Sequence, residues 1–196
     1  MTKAKNYHHG NLKNDLLQAG LIILDEEGVD GVGIRQVARK VGVAHSAPAN
    51  HFKNKPALLT ALADEIFQSL LLNIETSVNE VEPLSEAVTK FCKSLLEFAL
   101  QYPNRYRLIW RTDCLDKRNP ELQEAMERVY QKLISLLRES ARQKNVDVES
   151  QAIAVWSMIH GYVSLRLDGN LQQGRDSVTG KDRVEAILAA LLEGLA

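Results

Sequence analysis

Cysteine is nearly absent. Cys92 and Cys114 stand 22 residues apart with no histidine or further cysteine near them, a spacing that gives neither a metal knuckle nor a redox pair. Both read as small buried hydrophobes. The five histidines, His8, His9, His45, His51 and His160, include no HExxH or other ligand spacing, so no metal is expected. Also missing are a glycine-rich phosphate loop, a GxSxG elbow and convergent carboxylates, which argues against an enzyme and against a cofactor. No run approaches the roughly 18 apolar residues that a membrane span needs. The opening MTKAKNYHHGN has no apolar core of a secretion signal, so the cytoplasm is the expected compartment and no membrane partner is expected. Strand-type alternation, internal repeats and low-complexity tracts are absent as well.

What is present is helical periodicity. Hydrophobic residues make up 45% of the chain, an ordinary share for a globular protein. Leu12, Leu16, Leu17, Leu21 and Leu24 recur at helical steps, with Asn11 placed to cap and Gly28 to stop that helix. A long helix follows Asn54 and Pro56, carrying Leu59, Leu62, Ile66, Leu70, Ile74 and Val78. Glu82 and Pro83 open another, through about Gln101, and Tyr102 and Pro103 end it. A short aromatic segment over 104–111 and a helix from Pro120 to about Lys144 come next. The last two helices, 148–167 and 181–195, are apolar over most of their girth and are expected to be buried on more than one side. Between them, 168–180 is rich in glycine and polar turn residues and reads as a mobile loop. The fold class is all-α.

The most informative stretch is IRQVARKVGVAHSAPANHFKNK, residues 34–55. Ile34, Val37, Ala38 and Val41 fall on one helical face, Gly42 supplies a left-handed turn, and Val43 resumes burial. Pro48 is tolerated only in a helix's first turn, so a second helix begins no earlier than about His45 and has about two turns before Phe52. That is a helix-turn-helix outline. Charge is distributed to match: the chain's net charge is −1, but residues 1–55 carry +3 and the remainder −4, the footprint of a DNA-contacting end. Residues 1–10 are a basic arm, either disordered or laid along DNA.

The order VAxxxGVxxxxxxxHFxxKxxLL, here Val37, Ala38, Gly42, Val43, His51, Phe52, Lys55, Leu58 and Leu59, resembles the DNA-binding domain of TetR-type transcriptional regulators, over about residues 11–66. The His-Ser-Ala-Pro run from His45, with Trp156, His160 and Gly161 downstream, resembles a branch of that family with a Trp and His-Gly pair in its C-terminal domain. Two departures stand out. The family has Tyr, whose ring touches a DNA phosphate, where this chain has Ala49. It also favours Ser or Thr at the caps where this chain has Gly33 and Ala44; Ala is a poorer cap by roughly 1 kcal/mol.

The resemblance implies an N-terminal three-helix DNA-binding domain, 1–55, and a C-terminal helical ligand-binding and dimerisation domain, 56–196. It implies a regulator, a repressor released from a palindromic double-stranded DNA operator by a small-molecule effector. Base contacts are expected from Arg35, His45, Ser46 and Asn50, of which Arg35 matches guanine and Asn50 adenine. Phosphate contacts are expected from His51, Lys53 and Lys55, with amides at the N-terminus of the following helix. His51 is as compatible with packing beside Phe52. Phe91, Phe98, Tyr106, Trp110, Trp156 and His160 either line an effector pocket or belong to the core. A homodimer is expected on the last two helices through Ile159, Val163, Leu188, Leu191 and Leu192. The alternative is an all-α interaction or scaffold protein whose basic end is incidental.

Overall fold

The computed structural model describes residues 12–78 and 83–194. The Asn11 cap, the basic arm and Leu195 lie outside them. Among the described residues there are eight α-helices and one 3-10 turn, and the only β pairing is an isolated bridge between Arg175 and Asp182. The chain divides into two compact units. One takes residues through Ile66 together with Asn104–Leu122; the other takes Phe67–Pro103 and the described residues from Gln123 on.

In the first unit, α1 (Leu12–Gly31) buries Leu16, Leu17, Leu21, Ile23 and Leu24. Gly20 lets it approach α3 (Lys55–Ser77) closely, since a Cβ there would sit 3.0 Å from the Leu62 side chain. The regular helix breaks at Gly28, whose φ of 73° an L-residue adopts only with strain. Helix α2 (Ile34–Val41) buries Val37 and Ala38 and ends at Gly42, φ 82°, whose N–H reaches Ala38 O at 2.9 Å, while Val43 N bonds to the same carbonyl at 3.0 Å. Asn54 Oδ1 accepts from Ala57 N at 2.9 Å and caps α3.

The segment after α2 differs from expectation. Instead of a two-turn α-helix, residues Ala47–Asn50 form a 3-10 turn with Pro48 and Phe52 buried beneath it. Pro48 has no N–H, and the bonds Ala47 N to Ala44 O and His51 N to Pro48 O, both 2.9 Å, are of the three-residue kind, while Phe52 N reaches Pro48 O at 2.8 Å over four residues.

Helix α5 (Pro103–Ile109) belongs to the first unit from Asn104 on. Arg105 pairs with Asp25 through both carboxylate oxygens, at 2.9 and 2.6 Å, and Asn104 Nδ2 donates to Asp25 O at 3.1 Å. The segment is fastened again where Asp116 N donates to the buried Thr60 Oγ1, at 2.9 Å.

In the second unit, α4 (Leu84–Gln101) packs against α7 (Val148–Leu167) and α8 (Arg183–Gly194). Helix α6 (Pro120–Lys144) contributes Val129, Leu133 and Leu137 to the core. The segment read as a mobile loop is cross-tied: Asp176 Oδ1 accepts from Thr179 N and Val178 N at 2.7 and 3.1 Å, and Arg183 N donates to Gly174 O at 3.0 Å. A further correction concerns membrane-scale hydropathy. Helix α3 has 23 residues, and an 18-residue window of it reaches mean hydropathy 1.4, long and apolar enough to cross a membrane by length and composition; 56% of that window is buried in the fold, the pattern of a core helix.

Candidate nucleic-acid interface

The turn around Ala47–Asn50 presents its groups outward. His45, Ser46, Ala49 and Asn50 are exposed, as is Ala44, whereas Pro48 and Phe52 anchor the backbone from below. Arg35, in the first turn of α2, is exposed too. All four residues expected to meet bases are therefore free of the core and held in one unit on consecutive elements. Gly42 makes the arrangement possible by reversing the chain directly after α2.

The expected phosphate contacts separate. His51 and Lys53 are exposed, and the His51 ring lies 6.3 Å from that of Phe52, tilted by 54°. Lys55 is only half-exposed, and its Nζ donates to Asp30 O at 3.2 Å. That bond ties the start of α3 to the end of α1, so Lys55 has a structural task the sequence did not reveal. Lys40 is likewise engaged, with Glu26 at 2.8 Å, which leaves Arg35, Arg39 and Lys53 as exposed cations around the turn. At the start of α3, the Ala57 amide is already taken by Asn54.

The six residues expected at an effector pocket are divided between the two units. Phe91 and Phe98 are core, 0% and 3% exposed. Trp156 meets Phe91 at 6.3 Å and Tyr130 at 6.1 Å between ring centroids, inside the second unit. Tyr106 and Trp110 stack edge-on at 5.9 Å and belong to the first unit; burial pushes the Tyr106 phenol well above its ordinary range. His160 is half-buried, and that burial pulls its imidazole below the usual histidine range. A groove of about 350 Å³ does occur in the second unit, lined by the polar and charged residues Ser85, Thr89, Lys90, Lys93, Lys181 and Glu185 among others. Sequence reasoning also missed Gln151, 3% exposed, whose Oε1 has no hydrogen-bond partner among the described residues.

The residues expected at a dimer interface need correcting. Ile159, Val163 and Leu188 are 2%, 0% and 0% exposed within the single chain, so they face its own core. Leu191 is half-exposed, and the side chain of Leu192 lies outside the described residues. The outward face of α7 carries Ile153 and Leu165, 56% and 48% exposed, with exposed Ser157 and Gly161 between them.

No group of three His, Cys, Asp or Glu side chains among the described residues could hold a metal ion.

Comparison with known proteins adds to this geometry. Residues 16–62 match the model for bacterial regulatory proteins of the tetR family, and residues 88–192 match a tetracyclin repressor-like C-terminal domain. The chain is 47% identical over 51 residues to the class A tetracycline repressor protein from transposon 1721 of Escherichia coli, a match taking in 26% of this chain and 24% of that one. It thus spans about a quarter of the length of that relative. It is 24% identical over 168 residues to the nucleoid occlusion factor SlmA of Alteromonas mediterranea, 84% of this chain and 86% of that one. A solved structure of a protein with unknown function from Rhodococcus sp. RHA1 is similar with a TM-score of 0.78 at 26% identity, covering 98% of this chain and 97% of the other.

Proposed function

The chain belongs to the tetR family of bacterial regulatory proteins, and from that premise we propose that it is a homodimeric repressor, released from a palindromic operator when a small molecule binds its C-terminal unit. Its class is settled by the family: it is a DNA-binding transcriptional regulator and not an enzyme. The observation that carries the reading is the exposed row of Arg35, His45, Ser46 and Asn50 over a buried Pro48 and Phe52. Exposed polar groups on a rigid turn beside exposed cations are what major-groove reading needs.

Dimerisation is assigned to α7 and α8. Ile153 and Leu165 flank Ser157 and Gly161 on one outward face, and no atom outside the local backbone lies within 4 Å of where a Gly161 Cβ would stand. Small residues between apolar ends let a second helix approach closely, and a self-complementary face gives a two-fold pair. Such a pair presents two reading turns to half-sites related by a dyad, about one helical turn or a multiple apart.

The effector is assigned to the second unit. Gln151 Oε1 offers a buried acceptor there. The backbone joins the two units three times, at Ile66–Phe67, Pro103–Asn104 and Leu122–Gln123, so an effector held by one acts on the other through these connections. A coupling of about 1–3 kcal/mol would change DNA affinity roughly 5- to 150-fold. Bacterial cytoplasm is the compartment where such a regulator works.

The experiment is selection of bound fragments from a random-sequence DNA pool by the full chain, with mass measured by light scattering. A dyad-symmetric motif and a dimer are expected. No enriched motif, or an asymmetric one bound by a monomer, would contradict the proposal.

A further inference from the structure

Given the DNA-reading function proposed above, we infer that the reading turn selects A·T pairs, with the methyl groups of Ala49 and Ala44 packing on thymine 5-methyls. The chemistry of the exposed surface carries this. Between Lys40 and Lys53 the sequence has no Lys, Arg, Asp or Glu. Guanine is read in the major groove by paired donors from Arg or Lys, and cytosine by a carboxylate accepting from its amino group. Neither kind of side chain occurs within residues 41–52, and the nearest cations, Lys40 and Lys53, bound that stretch. Adenine is read by a carboxamide that donates to N7 and accepts from N6, and thymine by an apolar group against its methyl. The turn supplies both: Asn50 is exposed, and so are Ala49 beside it and Ala44 at the other end of the segment.

The small size of Ala49 matters here. The methyl is too short to reach a phosphate from this position, and on a backbone anchored by the buried Pro48 and Phe52 it leaves room for a base edge. His45 and Ser46 add polar groups of no fixed base preference. Arg35 sits apart, in the first turn of α2, and is the group through which a guanine can be recognised at the flank of each half-site.

The test uses the full chain and the operator returned by selection. Deoxyuridine replaces thymidine at the pairs facing the turn, which removes only the 5-methyl. Burial of one methyl predicts about fourfold weaker binding for each thymidine replaced, and about sixteenfold when the same pair is changed in both half-sites. The variants Ala49→Gly and Ala44→Gly, tested singly, should each stop distinguishing thymidine from deoxyuridine at one position of the half-site while keeping the distinction at the other. Equal affinity of wild type for the two operators overturns the inference, as does a selected motif with G·C pairs at the positions facing the turn; both leave the DNA-reading function standing. Failure to select any motif overturns that function and this inference together.

Discussion

Arg105 and Asp25 form a long-range side-chain contact in the first unit. The pair is bidentate, with the two side chains 17% and 30% exposed, and it sits near the C-terminal end of the regular part of α1, where a cation is favoured by the helix dipole. Arg105→Ala leaves the Asp25 carboxylate without that partner and should lower stability by about 1–3 kcal/mol, read from chemical denaturation. His160 gives a second test at this scale. Its imidazole is held below the ordinary histidine range by burial, so the unfolded chain takes up the proton first as pH falls. Stability should be fully present above the unfolded histidine value, about 6.5, and decline as pH drops below it. His160→Gln should flatten that acid-side decline in melts taken from pH 7 to pH 5. Cys92 is a third case: burial pushes its thiol up to about 12. In the folded protein a thiol reagent at neutral pH should modify at most Cys114, the half-exposed one, and mass spectrometry of the labelled chain would show whether Cys92 stays unmodified.

Elements were legible where single residues punctuate them. Gly42 ends α2 at φ 82°, and no neighbour lies within 4 Å of where its Cβ would be. Gly42→Ala should therefore cost about 1–2 kcal/mol through backbone strain alone, measurable as a lower melting temperature without loss of helical signal. Asn54, Pro83, Pro103 and Pro120 mark helix starts in the sequence for equally local reasons. Three features were not legible. Pro48 fits the first turn of either helix type, so its presence could not separate a 3-10 turn from a short α-helix. The attachment of α5 to the first unit rests on bonds between residues 79 and 80 positions apart, Asp25 with Asn104 and Arg105, and no local pattern encodes those. Helix α7 is apolar on two faces, and periodicity cannot say which one the chain keeps for itself; Ile159 and Val163 went inside, while Ile153 and Leu165 stayed out.

At the scale of the molecule, the proposed dimer uses the outward face of α7 to bring two reading turns together. Leu165→Glu and Ile153→Glu place a charge on the proposed two-fold face without touching the core, and each should convert dimer to monomer by light scattering while the helical content is retained. The central claim is that this chain recognises a particular DNA sequence through an electrostatically anchored reading turn. It is tested most directly by titrating the full chain against the selected operator and against unrelated DNA of equal length over a range of salt concentrations. The account predicts that affinity for both falls steeply as salt rises, because phosphate contacts release counterions, and that the operator stays tighter by a factor of about a thousand or more at physiological salt. Equal affinity for the two DNAs, or operator binding that does not respond to salt, would contradict it.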